Sequence, residues 1–477
     1  MKESIAAGFR HRGFSSTFTR RAFLQGSSSG FGWLAFSSLF GREVLPGRTF
    51  APRAKNVIFC FMDGGPSHVD TFDPKPMLTK RQGQVIGKEN QSFLSQASEK
   101  RREWLGSPWA FKQRGASGLW VSDLFPNIAR IADKIAVVRN MIGEIPLHGQ
   151  QNLLLHTGRI LGQAPSFGSW MSYGLGSENQ NLPGFVLLNN DWVPNGGLEN
   201  FGCSYLPAAH QATMVRAKGD PVDNVVPTDS FKLQRRKLDL LAAQDSDFAK
   251  KSSDSGAIEG AIENYETAFR MQSLLPQIAD VSGEPEYLRK LYGLDSKDEH
   301  QSYYALQTMR ARRLVEAGVR FVEITCPQFD GNNSPWDQHT RLKKNHEKNA
   351  RVTEQSVAAL ILDLEQRGLL DETVVLWAGE MGRTPHTLKV SATCGRDHHV
   401  NGYSIFMAGG GFRGGVAHGE TDEFGNSVVG RPTNVHDVHA TIMHQLGIDH
   451  ERLTFRHGGR DQRLTDVHGR ILQEILA

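Results

Sequence analysis

Asn56-Val57-Ile58-Phe59-Cys60-Phe61-Met62 is an uninterrupted apolar run, and Asp63-Gly64-Gly65-Pro66 stands directly behind it. Seven apolar residues closed by a turn-forming tetrad suit a strand buried on both faces of a parallel sheet and ending in a loop. The same grammar recurs along the chain. Pro126 to Ala132 reads as helical and is followed by the strand Ile135 to Arg139. Ala311 to Gly318 reads as a helix stopped by its glycine, with the strand Val319 to Thr325 behind it. His346 to Arg367 carries Val352, Val357, Leu360, Ile361 and Leu364 at helical spacing, with Gly368 as its stop. The strands Thr373 to Ala378 and Tyr403 to Ala408, the loop Gly409 to Gly415 and a closing helix Val435 to Leu446 complete the series. Strands separated by helices predict an α/β fold, a mainly parallel sheet with helices on both faces.

Between Ser166 and Asp298 the pattern weakens. Pro- and Gly-containing loops near Leu182 to Gly197 precede a polar helical stretch around Phe231 to Phe269, and residues 166–298 read as an insertion or cap within a domain spanning 53–477. With 477 residues and 39% hydrophobic composition the chain can bury a large core and is not of the disordered class.

The N-terminus reads as an address. Thr19-Arg20-Arg21-Ala22-Phe23-Leu24 is a twin-arginine signal, followed by a weakly apolar Gly/Ser-rich stretch from Gly26 to Phe40. The alternative, a basic amphipathic helix or a membrane anchor, meets an apolar run broken by Ser and Gly and too short for about 30 Å of hydrocarbon. Ala35-Phe36-Ser37 and Thr49-Phe50-Ala51 both offer cleavage sites, and an uncleaved anchor stays open. Residues 1–52 are thus expected to be signal peptide and linker, and the mature chain to be periplasmic or secreted, with no membrane span. The seven Lys/Arg and two Asp/Glu of this leader carry a net +5, which takes the formal charge from +3 to −2 for the rest. That remainder lacks the basic face that nucleic acid requires. Cys60, Cys203, Cys326 and Cys394 form no C-x-x-C pair, so neither a structural zinc site nor a disulfide framework is indicated, and Cys60 and Cys326 suit small core residues.

In sheets of this kind ligands bind beyond the carboxyl ends of the strands. The polar residues there are Asp63 after the first strand, Asp337 and His339 after the strand ending at Thr325, Glu380 after Ala378, and His398 ahead of Tyr403. Asp, Glu and His form an oxygen and nitrogen donor set for a divalent metal such as zinc, manganese, magnesium or calcium. Acidic residues after strands also serve as helix caps and turns, so the weight lies on their convergence. Of eighteen histidines most have other work. His436 and His439 lie at i, i+3 on the closing helix, where a helix-sheet contact competes with ligation. His399 reads as a bystander or supporting residue, and His68 and Asp70 are candidates for the pocket wall. Gly409-Gly410-Gly411 lacks the company of a phosphate loop and reads as a turn.

FMDGGPSHVDTFDPKP at 61–76, HTGR at 156–159, WDQH at 336–339, GEMGRTP at 379–385 and GRDHH at 395–399 ahead of MAGGGFRGG together resemble the domain-of-unknown-function 1501 family, exported bacterial proteins related to the sulfatases within the alkaline phosphatase superfamily. The resemblance runs from about Asn56 to Asp466. It implies an alkaline phosphatase/sulfatase-like three-layer sandwich with metal ligands at its strand ends. Asp63 matches the first metal-binding aspartate and His398 the late histidine. Glu380 falls where the superfamily has the Asp of an Asp-His or Asp-Asn pair, but its neighbour is Met381. Asp337 and His339 are spaced more closely than the superfamily's Asp-x-x-x-His. Sulfatases place a Cys or Ser nine residues before the Thr of Thr-Gly-Arg, and the same count from Thr157 lands on His148. No Cys, Ser or Thr occurs between Met141 and His156, so a formylglycine or phosphoserine route has no residue to start from.

The resulting expectation is a metal-dependent hydrolase acting on a small-molecule or polysaccharide sulfate or phosphate ester. In it Asp63, Glu380 and His398 hold the metal with Asp337 or His339, His148 is nucleophile, ligand or base, and Arg159 or Arg383 meets the transferring anion. The rival is a catalytically inactive binding protein of the cell envelope on the same fold.

Overall fold

The computed structural model describes residues 49–87, 101–189, 192–223, 225–250, 255–328 and 334–477. The twin-arginine stretch and the run from Gly26 to Phe40 lie outside the described residues. Gly47–Ala477 is one compact unit. Within it the amides of Thr49 and Phe50 donate to the Gly447 carbonyl at 2.7 and 3.4 Å, and those of Arg53 and Ala54 to the Gln445 carbonyl at 2.8 Å each.

The main sheet has eight strands. In chain order they are β1 (Asn56–Phe61), β2 (Ile135–Met141), β3 (Phe185–Asn189), β4 (Thr213–Arg216), β5 (Phe321–Thr325), β6 (Thr373–Ala378), β7 (Tyr403–Ala408) and β8 (Val416–His418). They lie in the order β8-β2-β7-β6-β1-β5-β3-β4. The opening run therefore forms an inner strand, with Val57 opposite Phe321 on one side and Val374 on the other. Every pairing is parallel except the two made by β7. That reversal has a local cause. Residues 379–402, between β6 and β7, contain no helix to carry the chain back across the sheet, so β7 starts at the edge where β6 ends.

Apart from two short helical turns at His68–Thr71 and Pro76–Lys80, the α-helices among the described residues are α1 (His148–Thr157), α2 (Phe167–Leu175), α3 (Phe231–Ala249), α4 (Ser255–Ala279), α5 (Glu286–Tyr292), α6 (Glu299–Glu316), α7 (Leu342–Gln366) and α8 (Val435–Gln445). Alternation along β1 assigns them to layers. Ile58, Cys60 and Met62 pack in one core with Leu314 of α6 and Val357, Leu360 and Leu364 of α7. Val57, Phe59 and Phe61 pack in the other with Leu154 of α1, Trp170 of α2 and Val438 and Ile442 of α8. Each fully buried large apolar side chain contributes roughly 1.5–3 kcal/mol before the entropy of ordering it is subtracted. Cys60 and Cys326 sit in the first core as free thiols, and burial pushes the Cys60 thiol up to about 12, the state of an inert core residue.

The three-layer sandwich with a mainly parallel sheet stands as expected. The stretch 166–298 is more than an insertion, because it supplies α2 and the strands β3 and β4 to the sandwich itself. Those strands hid in the sequence because they are five and four residues long and the Pro- and Gly-containing segment between them forms two short 3-10 turns instead of an α-helix. The polar stretch near Phe231 to Phe269 is two helices, α3 and α4. No helix among the described residues is long and apolar enough to cross a membrane.

A candidate metal centre at the strand ends

β1, β5 and β6 are adjacent and parallel, so the loops that follow them open on one edge. Phe61 pairs with Ala378, which brings Asp63 and Glu380, each two residues farther on, to the same height. Between them the chain turns at Gly64 with φ +104°, where a Cβ would stand 2.6 Å from the Asp337 amide nitrogen. Only glycine fits so tight a crossing. Its amide donates to Glu380 Oε1 and Oε2 at 3.1 Å each, and the Trp336 amide donates to the Asp63 carbonyl at 3.0 Å.

Helix α1 approaches this edge with His148 at its first turn. Residues four apart share a helix face, and His148, Asn152 and His156 form one row. Each meets a buried acidic residue: His148 Nδ1 lies 2.5 Å from Glu380 Oε1 and Asn152 Nδ2 donates to Asp63 Oδ1 at 3.2 Å at the carboxyl edge, and His156 Nε2 lies 2.7 Å from Oε1 of Glu323, in the middle of β5. Ser334 Oγ also reaches Asp63 Oδ1 at 3.4 Å, while the buried Oδ2 meets no hydrogen-bond partner among the described residues.

Asp337 forms the outer part. Its Oδ1 accepts from Arg383 Nη1 at 2.5 Å and lies 3.0 Å from His339 Nε2 and 3.3 Å from His398 Nε2, and its Oδ2 lies 3.5 Å from His148 Nε2. His398 reaches the site because β7 runs backwards. Its Nδ1 donates to the Pro146 carbonyl at 2.7 Å, which turns Nε2 toward the cluster, 3.1 Å from His339 Nε2 and 3.3 Å from Asp337 Oδ1. His339 Nδ1 lies 2.9 Å from Asp397 Oδ1, the carboxylate-imidazole arrangement that orients metal-ligating histidines. Asp397 is in turn held by Arg102.

The electrostatics follow from crowding charges out of water. Burial, and then the like charge of Glu380, push the Asp63 carboxyl up to about 7. Burial opposes a charge on His148, but its bonds to Asp337 and Glu380 outweigh that and hold the ring up to about 9. Bonds to Asp337 and Asp397 lift His339 to about 9 as well. Burial would raise Asp337, yet the Arg383 charge and the three imidazoles hold it far below the usual carboxylate range. Burial pulls His398 down, toward the neutral form.

The structure thus gathers Asp63, His148, Asp337, His339, Glu380 and His398. It places the two arginines otherwise. Arg383 is fully buried and donates to the carbonyls of Gly64 and Gly65 as well as to Asp337, so each of its three nitrogens is already engaged in holding the loop and the Asp337 carboxylate. Arg159 lies beyond the far end of α1 with Gln462 and Asp466, lining a separate cavity of about 580 Å³. His436 and His439 bond the carbonyls of Gly158 and Leu155, the packing role weighed against ligation. Asp70 is paired with Arg396, and His68 stacks on His399 and bonds the Gly425 carbonyl. Asn152, Ser334, Asp397 and Arg102 were missed in the sequence. The i, i+4 relation to His148 could have found Asn152, and its place beside His398 could have found Asp397. Nothing local marks Ser334 or Arg102.

Fold and side chains together define a three-layer α/β protein with carboxylates and imidazoles gathered at the carboxyl edge of its sheet. The chain belongs to the family described as "Protein of unknown function (DUF1501)", which matches residues 54–476. No curated protein matches it at a significant level. Among solved structures it is similar to a sulfatase from Pseudoalteromonas sp. (12% identity over 84% of this chain and 69% of that one, TM-score 0.37). Two others are the phosphonate monoester hydrolase of Silicibacter pomeroyi (11%, 89% and 76%, 0.38) and a lipoteichoic acid synthase from Listeria monocytogenes (9%, 88% and 76%, 0.34). At such identities and scores, the chemistry must rest on this chain's own side chains.

Proposed function

We propose that the chain is an exported, metal-dependent hydrolase of sulfate or phosphate esters. One observation carries the reading: Asp63 and Glu380 are buried side by side, Asp63 Oδ2 meets no partner among the described residues, and imidazoles and Asp337 converge on the pair. With both carboxylates ionised the pair carries one more negative charge than the His148 ring offsets, and the oxygen and nitrogen donors around it fit a divalent metal. Asp63, His148 and Glu380 offer ligand atoms within 4.8 Å of one another, and so do His148, Asp337 and His398.

His148 belongs to both groups, with Nδ1 toward Glu380 and Nε2 toward Asp337. Attack and ligation both need a ring nitrogen without its proton, and the carboxylates of Glu380 and Asp337 beside the two nitrogens suit the ligand role, because an ion held by either carboxylate would take the place of that proton. Zinc, manganese, magnesium or calcium bound here would supply Lewis acidity and an acidified water. The chain supplies orientation: Asn152 and Ser334 hold Asp63, Arg383 holds Asp337, the Pro146 carbonyl fixes the His398 tautomer, and Asp397 aims His339, the most exposed of the set at 45%. The rival, an envelope-binding protein, is favoured by one specific observation, that Arg159 lies away from the cluster and Arg383 is fully buried with each nitrogen already bonded.

Elemental analysis of the purified protein beside Asp63→Ala and His398→Ala tests the reading. Stoichiometric metal in the wild type, lost in both variants, together with turnover of aryl sulfate or phosphate esters, is the expected result. Metal without turnover would select the binding protein. A wild type that takes up no zinc, manganese, magnesium or calcium sinks the hydrolase.

A further inference from the structure

Gln151 is fully buried on α1 between His148 and Asn152, and its hydrogen bonds go to backbone. Its Nε2 donates to the Glu380 carbonyl at 2.9 Å, and its Oε1 accepts from the amides of Glu144 and Ile145 at 2.9 and 3.2 Å. Two donors on one side and an acceptor on the other admit a single orientation of the side-chain amide. The fit is close. A Cβ at Gly143 would stand 2.3 Å from Gln151 Nε2 and push the amide off its partners. The loop so held, residues 143–147, is the one whose Pro146 carbonyl accepts from His398 Nδ1 at 2.7 Å. The Gly143 amide fastens the same loop two residues past His398, donating to the Val400 carbonyl at 2.8 Å.

The two sets of convergent ligand atoms, Asp63-His148-Glu380 and His148-Asp337-His398, have only His148 in common. Gln151 joins one further member of each. It bonds the Glu380 main chain directly, reaches the His398 ring through the Pro146 loop, and stands one turn after His148 on the same helix. An apolar side chain of its size would fill the space equally well but would strand two amides and a carbonyl. With the loop released, the Pro146 carbonyl no longer selects the Nδ1 proton. A neutral imidazole free to carry that proton on Nε2 presents a donor to the cluster where a ligand lone pair is needed. We propose that Gln151 is the positioning residue of the cluster, which sets the His398 ring and Glu380 in place around their shared neighbour His148. The use of that placement rests on the metal reading, while the arrangement itself exists in the metal-free chain.

Nitrogen NMR of the metal-free full chain with isotope-labelled histidine tests it, the His398 signal being identified by its loss in His398→Ala. The wild type is expected to carry the His398 proton on Nδ1 alone, and Gln151→Met to lose that single form. Equilibrium dialysis is expected to give Gln151→Met a zinc Kd raised about 10–100-fold. Gln307→Met is the control: that glutamine, equally buried, bonds the carbonyls of Asn189 and Val215 on β3 and β4, and its replacement should leave both readouts at wild-type values. Should Gln151→Met not fold, Gln151→Asn, one methylene shorter and with an amide that keeps water in the gap, takes its place with the same expectation. A His398 ring unchanged in the variant, or moved as far by Gln307→Met, overturns the proposal, as does an unchanged zinc Kd. If the wild type takes up no metal, the hydrolase reading falls by itself and the His398 ring decides: a retained Nδ1 form in Gln151→Met overturns the positioning role, and its loss supports it.

Discussion

The inner face of α1 and the residue just past its C-terminus differ sharply. Along roughly 15 Å of helix, His148, Asn152 and His156 each meet a buried acidic residue of the sheet, at 2.5, 3.2 and 2.7 Å. Arg159 follows two residues after that helix and reaches Gln462 and Asp466 at 3.3 and 3.4 Å in an open, solvated cavity. The two lie on either side of Gly158, whose φ of +70° ends the helix and where a Cβ would stand 2.3 Å from the Leu464 carbonyl. The four-residue HTGR stretch therefore points two ways. His156 goes inward and Arg159 outward, and nearness in sequence does not make them one site.

Several measurements can break or sharpen that contrast. The largest effect is expected at the base of the row. His156→Ala leaves Glu323 buried and unpaired and should cost about 3–5 kcal/mol of unfolding free energy in urea denaturation, whereas a His156→Phe/Glu323→Leu double replacement should recover most of it. Wild-type stability for His156→Ala would remove the distinction altogether. At the head of the row, His148→Ala is expected to weaken divalent-metal affinity by about 100-fold or more, read by equilibrium dialysis. Unchanged affinity would strike His148 from the ligand set.

The pH dependence of that affinity has a definite sign. A metal requires Asp63 and His148 unprotonated, and the metal-free protein holds their protons up to about 7 and about 9. Affinity should therefore rise with pH, by about tenfold per unit between pH 7 and 9 for the proton displaced from His148 and as much again where His339 joins the ligands, more steeply below 7, and level off above 9. Calorimetric titrations in buffers of different ionisation enthalpy would count the protons, and a flat profile would place the metal elsewhere. Arg159→Ala closes the series, with a stability change under about 1 kcal/mol and metal content unchanged.

Much of this was legible before any coordinates. The apolar run at Asn56 announced an inner parallel strand because burial on both faces leaves no polar alternation to confuse it. Asp63, Glu380, Asp337 and His398 were legible because each stands beside an apolar strand, on the edge where such sheets bind ligands. β3 and β4 were not, since short strands joined by irregular loops carry too little periodicity. The direction of β7 was hidden as well, because it depends on the absence of a crossover helix across residues 379–402. Arg383 read as an anion clamp because sequence gives residue type but not the acceptors, here two backbone carbonyls and Asp337, that engage each of its nitrogens.

The glycine turn after β1 has a consequence in time. The Gly64 amide bonds a carboxylate 316 positions away, so the bond closes only when nearly the whole chain is in place. Contacts of such separation form late, after the loop entropy between them has been overcome. During synthesis Asp63 and His148 emerge long before Glu380 and His398, and a nascent chain offers a cation only half of the cluster. In the proposed reading the ion is therefore acquired after translation ends, by a finished fold, and its uptake reports that folding is complete.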